Sequence, residues 1–333
     1  MRPRHMYDAT ILRTAAGSAC SVSQYQCFHE LGLRVVAADC DPLSVGLHFA
    51  DAAYTVPRAD DPTYVDLLLE ICANERVDIF IPALDEELVN IAENSMRFTR
   101  QGTKVIISSV ETLEICTDKL ATYSFFVENG IPTVPTLSCK ELDKSSLADG
   151  PYIVKPRRGR GSTNVFLARN RDEVMFFCSY IGDAVVQPRI SGTEYTIDVV
   201  ADYAHEPVII APRIRIATDS GISSKAMTCW NEEVVDWTKT IVRKLKLIGG
   251  ANIQCFICDD GDLLFTEVNA RPAGTAILSQ CAGVPYVEAI ICIALNKPMP
   301  SHICPVDERI MLRYWQEAYL TKAEAAALGW TVR

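Results

Sequence analysis

The first hundred residues alternate between short apolar runs and longer stretches with one polar face. Residues 11–15 read as a strand, followed by a small-residue loop, Ala16-Gly17-Ser18-Ala19, and a helix over 21–31. A second strand over 34–38 closes on Asp39-Cys40-Asp41. A helix around 62–74, a strand at 78–82, a helix over 85–96 and a strand at 104–108 continue the pattern. Strands alternating with helices predict a doubly wound parallel sheet, with its ligand crevice at the carboxyl ends of the strands. Gly17, Ser18, Asp39, Asp85 and Glu86 stand at those ends.

Past residue 115 the pattern changes to α+β. A helix opens at Asp118-Lys119 and ends near Gly130, and strands at 152–155, 165–168 and 184–187 surround a helix at 171–180. Longer β segments follow at 195–201 and 208–216, then a helix at 232–245. A strand over 309–315 and a short helix over 323–330 come last, with no purpose evident from the sequence.

The strongest local signal is a hairpin around Asp260-Gly261, because an Asp-Gly pair between two apolar runs supplies the positive φ of a tight turn. With those two residues as the turn, Gln254 opposes Glu267 and Asn252 opposes Asn269, all on one face. Arg271 lies just beyond. That oxygen-rich face suits a hard cation such as Mg²⁺; the alternative is a solvated face of an edge hairpin.

Composition narrows the partners. A net charge of −10 argues against a nucleic-acid-tracking surface. Local basic clusters over 155–160 and 213–225 suit a small anion instead. No apolar run reaches the ~18 residues of a membrane helix, and the N-terminus lacks a signal-peptide pattern. Cysteines in apolar segments, among them Cys72, Cys116, Cys178 and Cys292, read as buried reduced thiols, hence an expected cytoplasmic setting. Cys255 and Cys258 form a C-x-x-C whose members point to opposite faces of a strand.

Two more segments carry chemistry. Lys155 leads a basic glycine loop, Pro156-Arg157-Arg158-Gly159-Arg160-Gly161-Ser162-Thr163, whose backbone N–H groups can wrap an anion. The Walker spacing is absent, and Gly17 alone does not supply a dinucleotide fingerprint. Further on, Gln187-Pro188-Arg189-Ile190 joins two β segments before Glu194. There the Pro188 carbonyl and the Ile190 N–H can receive an adenine edge, and Glu194 can accept from ribose hydroxyls.

In this order, a Lys at a helix start, a Lys-led glycine loop, a β hinge ending in Gly-x-Glu and a Gln…Glu-x-Asn-x-Arg hairpin, the chain resembles the ATP-grasp superfamily. It resembles specifically one synthetase unit of the carbamoyl phosphate synthetase large subunit and its stand-alone relatives. The resemblance implies an α/β fold: a Rossmann-like pre-ATP-grasp domain with a doubly wound parallel sheet over 1–115, and a two-subdomain α+β ATP-grasp domain over 116–298. The latter would divide into a lid at about 116–187 and a metal-binding part at about 188–298, before a C-terminal segment over 299–333. It implies ATP phosphates on Lys119 and Lys155 beneath the loop of Gly159, Gly161 and Ser162, adenine at Gln187, Pro188 and Ile190, and ribose at Glu194. Gln254, Glu267 and Asn269 would bind two Mg²⁺ ions, or Mn²⁺ in their place. Arg271 would steady the transferring phosphoryl group, and Lys225 would reach the γ-phosphate or the acyl phosphate.

The implied activity is an ATP-dependent ligase that activates a carboxylate and couples it to an amine or ammonia, with small-molecule substrates, no nucleic acid or membrane, and a homodimer as an open state. Asp39, Asp85 and Glu86 are candidates for an amine, Arg213 and Arg215 for a carboxylate, which together fit an amino-acid-like substrate. One departure bears on the acid: where the family motif has a second Arg three residues after the first, this chain has Gly274. That loss of a cation argues against bicarbonate. The rivals are a bicarbonate-using synthetase and a non-catalytic nucleotide-binding protein.

Overall fold

The computed structural model describes residues 7–331 except 144, 146 and 220. Strands β1 (Thr10–Arg13), β2 (Arg34–Asp39), β3 (Ala52–Thr55), β4 (Ile79–Ile81) and β5 (Lys104–Val105) form a parallel sheet in the order β3-β2-β1-β4-β5. Helices α1 (Ser21–Glu30), α2 (Val45–Phe49), α3 (Tyr64–Glu75) and α4 (Asp85–Arg100) make the connections. Both faces are buried, as a parallel sheet requires: Ile11, Val35 and Ile79 face one core, and Leu12, Val36 and Phe80 the other. The order reverses at β1, so a crevice opens between the ends of β1 and β4. Strand β3 and helix α2 are additions to the sequence reading; four and five residues are too few to show a period.

After α5 (Val110–Thr117) and α6 (Lys119–Glu128), a four-stranded antiparallel sheet runs β6-β9-β7-β8: β6 (Leu137–Ser138), β7 (Tyr152–Pro156), β8 (Phe166–Ala168) and β9 (Ala184–Pro188), packed on α7 (Arg171–Ile181). A six-stranded antiparallel sheet follows, ordered β14-β13-β10-β11-β12-β15. Its strands are β10 (Gly192–Ala201), β11 (Pro207–Asp219), β12 (Ile222–Thr228), β13 (Gly249–Cys258), β14 (Leu263–Asn269) and β15 (Ile310–Leu312). Helix α8 (Glu232–Leu245) covers one face. On the other, α9 (Ile277–Cys281) and α10 (Tyr286–Ala294) lie between this sheet and the parallel one. Helix α10 is apolar almost all round and buried, with Tyr286, Val287, Ile290 and Ile291 in the same core as Ile11, Val35, Val200 and Ile209. At roughly 1.5–3 kcal/mol for each fully buried large apolar side chain, that shared core fixes the parallel sheet against the larger one. A last helix, α11 (Lys322–Ala327), opens on a Thr321–Glu324 capping box.

The hairpin keeps the expected pairing at its functional end and departs from it at the turn. Asn252 pairs with Asn269 and Gln254 with Glu267, but Cys255 pairs with Phe265 and Ile257 with Leu263. The turn is therefore three residues, Asp259-Asp260-Gly261, closed by Gly261 N–H to Cys258 O at 2.9 Å and Cys258 N–H to Asp262 O at 2.8 Å. Gly261 takes φ +97°. A bulge at Thr266, whose hydroxyl donates to Gln254 O (3.2 Å), takes up the one-residue difference. Without it Glu267 would face the core.

The expectation of reduced thiols is corrected at one place. Cys178 of α7 is joined to Cys139, just past β6, in a disulfide with Cα atoms 5.5 Å apart, because the helix packs directly over that end of the sheet. Cys72, Cys116 and Cys292 are free, as expected. Among the described residues no helix is long and apolar enough to cross a membrane. Thiol counting tests the bridge: alkylation of the unfolded, unreduced protein should modify eleven of the thirteen cysteines, and all of them after reduction. Thirteen without reduction would remove the disulfide.

Candidate active site

The three sheets meet around a cavity of about 550 Å³, ample for a nucleotide-sized ligand. The hairpin contributes Gln254, Glu267 and Asn269 to its floor, with Arg271 beside them. The small sheet contributes Lys155, Gln187 and Pro188, and the connector to β10 adds Ile190 and Glu194. Lys119, Gly159, Gly161 and Ser162 close one side, and Arg213 and Arg215 another. Residues far apart in sequence thus share one chamber.

Its electrostatics are built from interleaved charges. Lys119 Nζ donates to Gly159 O (2.9 Å) and lies 3.9 Å from Glu267 Oε1. Burial pushes the Lys155 ammonium below the ordinary lysine range; Glu267 and Glu194 oppose this and Lys119 adds to it. Glu194 is held above the usual carboxylate range by burial, although Arg215 Nη1 donates to it at 2.7 Å. Arg215 Nη1 also reaches Gln254 Oε1 at 3.3 Å. Asn269 Nδ2 donates to Asn252 Oδ1 (3.2 Å), which leaves the Asn269 oxygen for a ligand. Gln187 Nε2 donates to Thr136 Oγ1 (2.8 Å), orienting its amide in the same way.

The glycine loop is fastened at both ends. Asp118 caps α6 through Leu120 N–H (3.0 Å) and Ala121 N–H (3.2 Å) and receives Arg157 Nε and Nη2 at 2.8 and 2.7 Å. Burial pushes its carboxyl up, but Arg157 and those two amides outweigh it and hold it below the usual range. Arg160 reaches Glu86 on α4 at 2.9 Å. Gly221, at φ +76°, lets the β11–β12 turn approach the loop so closely that a Cβ there would sit 2.9 Å from Gly161 C and Ser162 Oγ. The loop therefore roofs the cavity.

Several expected acceptor residues stand elsewhere. Lys225 is exposed on β12, paired with Leu312 of β15, and does not line the cavity. The register shifts between Ala217 and Thr218, and Lys225 leaves the wall that Ile222 and Ser223 join. Asp39 is spent on the loop after β1, accepting from Gly17 N–H (2.8 Å) and Asp41 N–H (3.0 Å). Asp85 is bound bidentately by Arg271 (2.8 and 2.7 Å), and Glu86 by Arg160. None of these three acids lines the cavity. Glu87 caps α4, accepting from Ala83 N–H (2.7 Å) and Leu84 N–H (2.9 Å).

Three residues were missed from sequence. Arg13 lines the cavity from the end of β1, Asp118 holds the loop, and Arg313 of the C-terminal segment donates to Gly274 O (2.6 Å) and Ala19 O (2.8 Å). An arginine closing a buried strand was a readable signal, since a charge there must find partners. For Arg313 there was none. Its guanidinium reaches the Gly274 carbonyl without lining the cavity.

Comparison with known proteins agrees with this architecture. A family model described as the PylC-like N-terminal domain matches residues 11–106, and one for the ATP-grasp domain matches 116–275. The carbamoyl-phosphate synthase of Methanobrevibacter smithii is 24% identical over 285 residues, covering 80% of this chain and 76% of its own. The arginine-specific carbamoyl phosphate synthase large chain of Halalkalibacterium halodurans is 23% identical over 300 residues, covering 84% of this chain. This chain spans 28% of that large chain's length. Among solved structures, the biotin carboxylase domain dimer of Hydrogenobacter thermophilus 2-oxoglutarate carboxylase, in complex with MgADP, ADP and bicarbonate, superposes with a TM-score of 0.70 at 17% identity. It covers 88% of this chain and 71% of that one. The chain thus carries a PylC-like N-terminal domain followed by an ATP-grasp domain.

Proposed function

We propose that this protein is a ligase that uses ATP to activate a carboxylate as an acyl phosphate and joins it to an amine or ammonia. The observation that carries this is the convergence of Lys119, Lys155, Glu267, Asn269 and Arg271 beneath one glycine loop. Both reactants are anions, so their approach needs fixed cations in a space closed to water. Lys119 and Lys155 are assigned to the nucleotide phosphates and Arg271, oriented by Asp85, to the transferring group. The Pro188 carbonyl and Ile190 N–H are assigned to adenine, Gln187 to support of that hinge, and Glu194 to ribose.

Gln254, Glu267 and Asn269 would hold Mg²⁺, as two ions with Mn²⁺ able to substitute. Among the described residues no group of three or more His, Cys, Asp or Glu gathers as a metal cage. One carboxylate with two amide oxygens fits a magnesium ion completed by phosphate oxygens, and when bound it supplies charge screening. The carboxylate oxygen forms a bond to the γ-phosphorus as the bond to ADP breaks. The amine nitrogen then bonds to the acyl carbon, and phosphate leaves with one carboxylate oxygen.

The rival reading takes bicarbonate as the acid. Bicarbonate-stimulated phosphate release with no organic acid would select it. Nucleotide binding with no phosphate release from any acid and amine would select the non-catalytic alternative. A homodimer and a cytoplasmic setting, the latter in keeping with eleven free cysteines, belong to the same proposal.

Glu267→Ala should lower phosphate release by about 10²–10³-fold, the effect of removing one preorganised charge-stabilising group, with the circular dichroism spectrum and thermal midpoint kept. Near-normal turnover would sink the metal assignment.

The depressed Lys155 predicts a pH effect of defined sign. Bound polyphosphate favours the charged ammonium, so binding takes up a proton once the pH exceeds the free protein's Lys155 pKa. Nucleotide affinity therefore falls as pH rises through that pKa. Calorimetry in buffers of different ionisation enthalpy should register the uptake, and Lys155→Arg should abolish it. Identical proton uptake in that variant would move the effect to another group.

A further inference from the structure

The end of the cavity bounded by the N-terminal domain holds more positive charge than one carboxylate calls for. Arg13, 4% exposed, stands at the carboxyl end of the central strand β1, where the sheet order reverses. Its hydrogen bonds all go to neutral acceptors: Gln24 Oε1 at 3.3 and 3.2 Å, and the carbonyls of Ile81 and Pro82 at 2.9 Å each. Among the described residues no carboxylate lies within ion-pair distance of it. Glu87 acts on it only from farther off, its carboxylate being engaged by Thr14, Tyr64 and two backbone amides. A buried guanidinium held only by neutral groups is costly until an anion arrives.

Arg213 lines the same cavity at 3% exposure. It binds Asp198 through Nε (3.0 Å) and Nη2 (3.2 Å), and its Nη1 has no partner among the described residues. The Tyr286 hydroxyl nearby is buried without a hydrogen bond, within the electrostatic reach of Asp198, Arg13, Arg213 and Arg271. Ser18 and Thr275 add hydroxyls to the lining. Arg313, through Ala19 O and Gly274 O, staples the two loops that carry them.

We propose that this end of the cavity is an anion subsite for a second carboxylate of the acid substrate, held by Arg13 and Arg213 with Ser18 and Thr275 as hydroxyl donors. The substrate is then a short dicarboxylate, with or without an amino group. This rests on the ligase reading for the fate of the other carboxylate. Arg313 is a positioning residue, acting through the loops it joins.

The test is calorimetric binding to the whole chain with Mg²⁺ and a non-hydrolysable ATP analogue. Succinate, glutarate, L-aspartate and L-glutamate are compared with butyrate, valerate, L-asparagine and L-glutamine. At least one diacid should bind about tenfold more tightly than its mono-acid counterpart, as expected for an added charge-assisted guanidinium–carboxylate contact. Arg213→Gln and Arg13→Gln should erase that ratio with analogue affinity kept. If a buried-arginine variant fails to fold, the wild-type ratio still decides. Ratios within about twofold for every pair, or no diacid binding, would overturn the subsite. Phosphate release is scored separately. A diacid preference without release supports the subsite and refutes the ligase, whereas release with mono-acids or bicarbonate alone does the reverse.

Discussion

Mutual repulsion among Arg13, Lys119, Lys155, Arg213, Arg215 and Arg271, which line one cavity, is the constraint that the rest of this structure answers. Most of these cations face a carboxylate from a different element: Arg271 meets Asp85 of α4, Arg213 meets Asp198 of β10, Arg215 meets Glu194, and Lys119 faces Glu267. Truncating one partner of a buried pair typically costs about 3–5 kcal/mol, because the other charge is left without compensation. Of these pairs, Arg271–Asp85 joins the N-terminal domain to the end of β14 and so adds to the apolar hold of α10. What it leaves over is a cavity short of negative charge, suited to a polyanion.

The small sheet serves that chamber by bringing a loop over it. Asp118 holds the loop at Arg157, Glu86 holds it at Arg160, and Gly221 lets the β11–β12 turn press against it. Only the first of these contacts is buried and bidentate. The Arg160–Glu86 pair lies at the surface, where an ion pair is worth at most about 1 kcal/mol, so this roof can part without disturbing a core. A site that must admit a nucleotide and then exclude water needs that asymmetry.

What the sequence disclosed follows from the range of each interaction. Alternation and turn chemistry are local, so most strands of the two larger sheets, β3 and β12 apart, and the facing of Gln254, Glu267 and Asn269 were legible. The turn was not two residues, and the Thr266 bulge that restores the register has no sequence mark of its own. Long-range partners were invisible for the same reason. Asp85 and Glu86 looked like free acids at strand ends because Arg271 and Arg160, which claim them, lie far along the chain. Arg313, which reaches the Gly274 carbonyl, comes from a segment with no evident purpose in the sequence. Cys139 and Cys178 are brought together by packing, which no spacing encodes.

The proposed reaction turns on attack of a carboxylate oxygen on the γ-phosphate. Oxygen-18 transfer tests it most directly: an acid substrate labelled in its carboxylate is turned over with ATP and amine, and the released phosphate is analysed by mass spectrometry. One labelled oxygen is expected in each phosphate formed. Phosphate that takes its new oxygen from labelled water, and none from the acid, would contradict it.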